Sequence, residues 1–260
     1  MPYGYCQPEL GKIITMVGQR INLNEIVKQI KLFSDGADLQ SMLEMANNPM
    51  IRGLTTNPSL MKKAGVKDYK SYCKDVLSKI QDKPISFEVF ADDFKEMHRQ
   101  ALEINSWGKN VYVKIPITNS LGASAIPLIK ELSHQKIKLN VTALLTLRQV
   151  VDTCQAVEGG APSIVSVFAG RIADTGVDPE PMMQASREIC SSYGKDIELL
   201  WASTREAFNI VQAQRCGSHI ITVPFDILRK LSAFGKDLNQ VSLDTVKVFK
   251  QDSDAAGFQF

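Results

Sequence analysis

A chain of 260 residues, 44% hydrophobic and 22% charged, buries a sizeable core and lies outside the disordered compositions. Its formal net charge of +2 is carried by scattered Lys and Arg with no dense basic tract, so nucleic acid is not expected as a partner. The five cysteines are far apart in sequence with no Cys-x-x-Cys pair, and the three histidines are isolated, which argues against a disulfide framework and a metal centre.

The segment Met1–Gly18 lacks a long apolar stretch after a basic one, so it does not read as a signal peptide. No apolar run approaches the ~18 residues that span a bilayer. The expectation is a soluble protein of a reducing cytoplasm with no membrane contact. Residues 1–28 precede the first strand as an extension, with a helix predicted at Ile21–Lys28.

Eight β-rich runs follow: Ile30–Ser34, Ile51–Leu54, Ile85–Phe90, Val111–Ile115, Lys138–Val141, Ile164–Val167, Ile197–Trp201 and His219–Thr222. Several are near-continuous apolar runs, the pattern of strands covered on both faces. Helical spacing separates them. Phe94, Met97, Ala101 and Ile104 fall on one face of Asp92–Trp107, with Gly108 placed for a left-handed cap. Ala125, Leu128, Ile129 and Leu132 make a second stripe, and Pro179–Tyr193 before Gly194 a third helix. This alternation predicts a parallel sheet with crossover helices. Eight units suggest an α/β fold of the (β/α)8 TIM barrel type over residues 29–250 in one domain, although an open doubly wound sheet has the same alternation. Residues 251–260 form a polar, then aromatic, tail that is either an oligomer contact or frayed.

In a barrel the chemistry gathers where strands end. Polar residues occur there in number: Asp35, Asn57, Glu88, Lys114, Asn140, Thr142, Ser166, Arg171, Ser203 and Arg205. Lys114 is the sharpest, an ammonium inside Val111-Tyr112-Val113-Lys114-Ile115-Pro116. Alternation puts Tyr112 and Lys114 on one face; if that face points inward, desolvation favours the neutral, nucleophilic amine. The alternative is a strand-end lysine that snorkels to water. Asp35 reads as a general acid/base or as a helix cap, and Asn57 before Pro58 reads as a turn. Glu88 in an apolar strand needs a partner if it is buried. Arg171 and Arg205, with Ser166 and Ser203, make a competent phosphate clamp or are ordinary surface charges.

These motifs resemble the transaldolase family, from about Phe33 to about Val223. Thr55-Thr56-Asn57-Pro58-Ser59 is similar to its Thr-Asn-Pro-Ser signature, and Val113-Lys114-Ile115-Pro116 to its Schiff-base lysine motif. Asn140-Val141-Thr142, Ser166-Val167-Phe168-Ala169-Gly170-Arg171-Ile172 and Ala202-Ser203-Thr204-Arg205 resemble three further motifs in the same order. The resemblance implies that Lys114 forms an imine with a ketose phosphate and that Asp35 handles the proton at the hydroxyl beside the breaking bond. It also implies that Glu88 and Thr142 hold a proton-relaying water. Asn57, Asn140 and Ser166 would hold the dihydroxyacetone portion, and Arg171, Arg205 and Ser203 the phosphate. No metal or organic cofactor is implied, and the partners expected are small-molecule sugar phosphates; whether copies of the chain associate is left open by the sequence.

Fructose-6-phosphate aldolases in the same group resemble transaldolases but carry Tyr where this chain has Phe168 and Gln where it has Glu88, so the two residues point to transfer rather than release. Departures from the family pattern are Gly36 for Thr, Val167 for Pro and Thr204 for an aromatic residue, and they bear on substrate identity. A specialised enzyme for another sugar phosphate and a non-catalytic sugar-phosphate-binding barrel are the other readings.

Overall fold

The computed structural model describes residues 22–257. The residues before Asn22, where most of the extension lies, and Phe258–Phe260 of the tail fall outside the described residues. After helix α1 (Leu23–Gln29), the chain lays down β1 (Lys31–Asp35), α2 (Leu39–Asn47), β2 (Ile51–Thr55), α3 (Pro58–Lys63), α4 (Tyr69–Lys79) and β3 (Ile85–Glu88). Next come α5 (Phe94–Asn105), β4 (Val111–Pro116), α6 (Ile126–His134), β5 (Leu139–Leu144), α7 (Leu147–Val157) and β6 (Ser163–Val167). They are followed by α8 (Ala169–Asp174), α9 (Glu180–Tyr193), β7 (Ile197–Trp201), α10 (Asn209–Arg215), β8 (Ile220–Pro224) and α11 (Phe225–Arg229).

The eight strands pair in parallel in chain order and close, β8 returning to β1 with Leu32 opposite Ile221. This is the (β/α)8 barrel, held within the compact unit Glu25–Arg229. The residues after it belong to a second unit and include a 3-10 turn at Lys230–Ala233 and the long helix α12 (Leu238–Ala256). Among the described residues no helix is long and apolar enough to cross a membrane.

The strands form where β-branched and apolar residues cluster, and most of their residues are buried because one face meets helices and the other the barrel interior. Period two then sorts each strand. The interior is plugged by Phe33, Ile164, Leu200, Ala202 and Ile220, with Tyr112 and Phe168 packed against them. Gly53, opposite Phe33, makes this plug fit: a Cβ there would lie 2.5 Å from the Phe33 ring. Two residues further along the same inward face stand Asp35 after Phe33, Lys114 after Tyr112, Ser166 after Ile164 and Thr222 after Ile220. The plug therefore forms the floor of a polar layer at the C-terminal ends of the strands.

Helix starts follow local chemistry. Asp38, Asn57, Asp68 and Asp93 each accept a backbone N–H as N-caps, and Thr146 with Gln149 closes a full capping box. Gly108 is not the left-handed cap that its position suggested. The helix has already ended at Asn105, Ser106 and Trp107 closing it through bonds to Glu103 O and Ile104 O, and Gly108 lies outside the positive-φ residues. Cysteines distant in sequence also meet: Cys154 on α7 and Cys190 on α9 are buried with their sulfurs 3.7 Å apart, as free thiols.

Candidate active site

A cavity of about 560 Å³ opens at the C-terminal ends of the strands, and all eleven candidate residues line it. Lys114 supplies its centre. The residue is 7% exposed, so the inward reading of the Tyr112/Lys114 face holds and the snorkelling one does not. Its Nζ donates to Thr56 O at 2.7 Å and sits 2.9 Å from Glu88 Oε2. Glu88 is the register partner of Lys114 across β3 and β4, so the pair follows from strand alignment. The end of β3 is itself anchored: Tyr69 on α4 donates to Glu88 O at 2.7 Å, and Gln100 Oε1 on α5 accepts from the Phe90 and Ala91 amides.

Asp35, the last residue of β1, caps no helix; α2 is capped by Asp38. Its carboxylate accepts from Thr55 Oγ1 at 2.7 Å, and Thr55 Oγ1 lies 2.6 Å from Thr222 Oγ1. Burial, the largest effect, pushes the Asp35 carboxyl above its ordinary range, with the Glu88 charge adding to it. The Lys114 charge and the Thr55 hydrogen bond pull the other way without cancelling it. Two threonines therefore support the acid, and sequence reasoning passed over Thr222 and gave Thr55 no role, because a threonine in a strand reads as an ordinary β-branched residue.

On the other side of Lys114, Asn140 is its register partner in β5. Asn140 donates through Nδ2 to Ser86 Oγ at 3.0 Å and accepts from Ser166 Oγ at 2.7 Å, a buried chain across three strands. Thr142 is buried beyond Asn140. Asn57 starts a helix rather than a turn, its Oδ1 accepting the Leu60 amide as the α3 cap, and it lines the cavity.

The basic end is built by α8 and the segment after β7. Arg171 lies over the Phe168 ring at 5.5 Å. Ser203 adopts a left-handed backbone, φ +65°, and Thr204 Oγ1 donates to Thr222 O at 2.7 Å. Arg205 reaches the cavity while pairing with Asp174, a residue that no sequence pattern singled out. Among the described residues no group of three or more His, Cys, Asp or Glu is placed to hold a metal ion.

The arrangement is a buried amine beside a carboxylate, a second carboxyl with raised pKa, a polar chain for hydroxyls and a cationic end for an anion. It suits covalent work on a phosphorylated carbonyl compound. A family described as Transaldolase/Fructose-6-phosphate aldolase matches residues 32–259. A protein of Methanococcus maripaludis named a probable transaldolase is 36% identical over 202 residues, covering 78% of this chain and 89% of the relative. Probable transaldolases of Thermoanaerobacter sp. (36% identical, the same coverage) and Methanococcus vannielii (34% over 215 residues, 83% and 94%) are also similar. The chain belongs to the Transaldolase/Fructose-6-phosphate aldolase family.

Proposed function

We propose that the enzyme is a transaldolase that moves a dihydroxyacetone unit from a ketose phosphate, such as fructose 6-phosphate, to an aldose phosphate through an imine on Lys114. This would be a cytoplasmic step of the pentose phosphate pathway. The observation that carries the reading is the buried Lys114 Nζ lying 2.9 Å from Glu88 Oε2. In this reading Glu88 takes the proton that must leave the ammonium before it attacks the ketone carbon, and Thr142 shares with it the water lost on closing the imine.

Asp35 then removes the proton of the hydroxyl beside the scissile carbon–carbon bond. The bond electrons flow into the protonated imine, an aldehyde leaves, and a three-carbon enamine stays on Lys114. The enamine attacks the acceptor aldehyde, Asp35 returns its proton to the new alkoxide, and water frees the lysine. A carboxyl with raised pKa suits a group that both takes and gives that proton. Asn57, Asn140 and Ser166 hold the hydroxyls, while Arg171, Arg205 and Ser203 hold the phosphate. The imine is the electron sink, so no metal is called for.

Release of free dihydroxyacetone is the second reading. Phe168 speaks against it, since a phenyl ring beside the enamine has no proton to give. Borohydride reduction with fructose 6-phosphate, followed by peptide mapping, tests the chemistry. A three- or six-carbon adduct on Lys114, absent from Lys114→Met together with turnover, is expected. Turnover with no adduct, or an adduct on another lysine, would sink the reading. Free dihydroxyacetone accumulating in the presence of acceptor would select release.

A further inference from the structure

Arg205, at the basic end of the cavity, is already paired with a carboxylate, Asp174. Asp174 ends α8, three residues after Arg171, so both side chains project from neighbouring positions on one helix side. The helix is locked against the segment after β7 at Gly170, where a Cβ would lie 1.7 Å from Ser203 O and 3.2 Å from Arg205 Cγ. That close approach brings Arg205 alongside the last turn of α8. Its Nε lies 3.1 Å from both Asp174 carboxylate oxygens, and Nη2 donates to Oδ2. Hydrogen bonding and charge from Arg205, with a smaller contribution from Arg171, hold the Asp174 carboxyl below its usual range.

The Nε/Nη2 edge of a guanidinium is one of its two bidentate faces, matching a carboxylate or a phosphate equally well. Here the protein's own carboxylate takes that edge. Both partners are about half exposed, so the pair is weak enough to exchange with a ligand. We propose that Asp174 is a placeholder anion that occupies Arg205 in the free enzyme and yields that guanidinium edge to the substrate phosphate, thereby setting the enzyme's affinity for phosphorylated sugars. The inference rests on the reading that Arg171, Arg205 and Ser203 receive the phosphate.

A placeholder and a simple orienting residue predict opposite signs. Removing a competitor tightens phosphate binding, whereas removing a support loosens it. Isothermal titration with inorganic phosphate should compare the wild type, the near-isosteric Asp174→Asn and Arg205→Ala. Asp174→Asn is expected to bind phosphate about threefold tighter, the scale of an exposed ion pair, with KM for fructose 6-phosphate falling by a similar factor. Unchanged or weaker binding in Asp174→Asn, with binding lost in Arg205→Ala, would overturn the placeholder and leave the phosphate site standing. Wild-type affinity in Arg205→Ala would overturn the phosphate site and the placeholder with it.

Discussion

Asp35 pairs a stability cost with its proposed chemical use. Its carboxyl is raised above the ordinary range by burial, so the folded state holds the proton more tightly than the unfolded chain. Above the folded pKa the buried charge weighs against folding; as pH falls below the unfolded value near ~4, that cost disappears. Asp35→Asn keeps an acceptor for Thr55 and deletes the charge. It should melt higher than the wild type at pH 8, by about 2–4 °C for each kcal/mol recovered, and the gap should shrink toward pH 4. Turnover should fall at least ~100-fold, as expected for a lost acid/base. Equal melting shifts at both pH values would show that the charge was not the cause. At this scale the sequence spoke through residues of the wrong type for their surroundings. Lys114 and Glu88 stood out in apolar strands, whereas Thr55, Thr222 and Asp174 looked ordinary where they were.

Among the elements, α8 and the segment after β7 show how a single glycine positions a site. Gly170 admits Ser203 O to a place where any side chain would collide with backbone, and Ser203 itself sits at φ +65°. Gly170→Ala must push the two segments apart and displace Arg205, whose Cγ is also near. An overpacking cost of about 1–3 kcal/mol is expected in urea unfolding, together with weaker inhibition by inorganic phosphate. Normal phosphate inhibition in a destabilised Gly170→Ala would uncouple this approach from the basic end. The strands were legible because a strand covered on both faces reads as an apolar run, and each was found to within a residue or two at most ends. The ends themselves were not: β3 stops at Glu88 rather than Phe90, since after the Val89 amide bonds Lys114 O the Phe90 and Ala91 amides are captured by Gln100. Side-chain capture of that kind leaves no periodic trace in the sequence. Closure of the sheet was equally open, since strand–helix alternation is common to barrels and open sheets, and the pairing of β8 with β1 settles it.

At the scale of the whole molecule, the barrel holds the candidate site, and the last helix has an exposed apolar surface. α12 has no buried residue, and Leu238, Leu243, Val246, Val248 and Phe249 are all exposed, Phe249 to 67%. A helix of 19 residues with this much apolar surface is stabilised by covering it rather than by propensity alone. The amino-acid order offered only a polar-then-aromatic ending at residues 251–260; the apolar positions of α12 spread too widely around the helix to read as one stripe. We expect copies of the chain to associate through α12. Val246 and Phe249 are three residues apart and share a side of the helix, so Val246→Asp with Phe249→Asp places two charges on that side of α12. Light scattering on the eluting wild type should give a multiple of the 28.8 kDa chain mass, and the double variant should move toward 28.8 kDa itself. A wild type already at that mass would show that α12 tolerates water in isolation. Fructose 6-phosphate turnover in the same fractions adds a second reading. Activity that persists in the smaller species places the whole site in one barrel, and activity that disappears with association means that a neighbouring copy completes it.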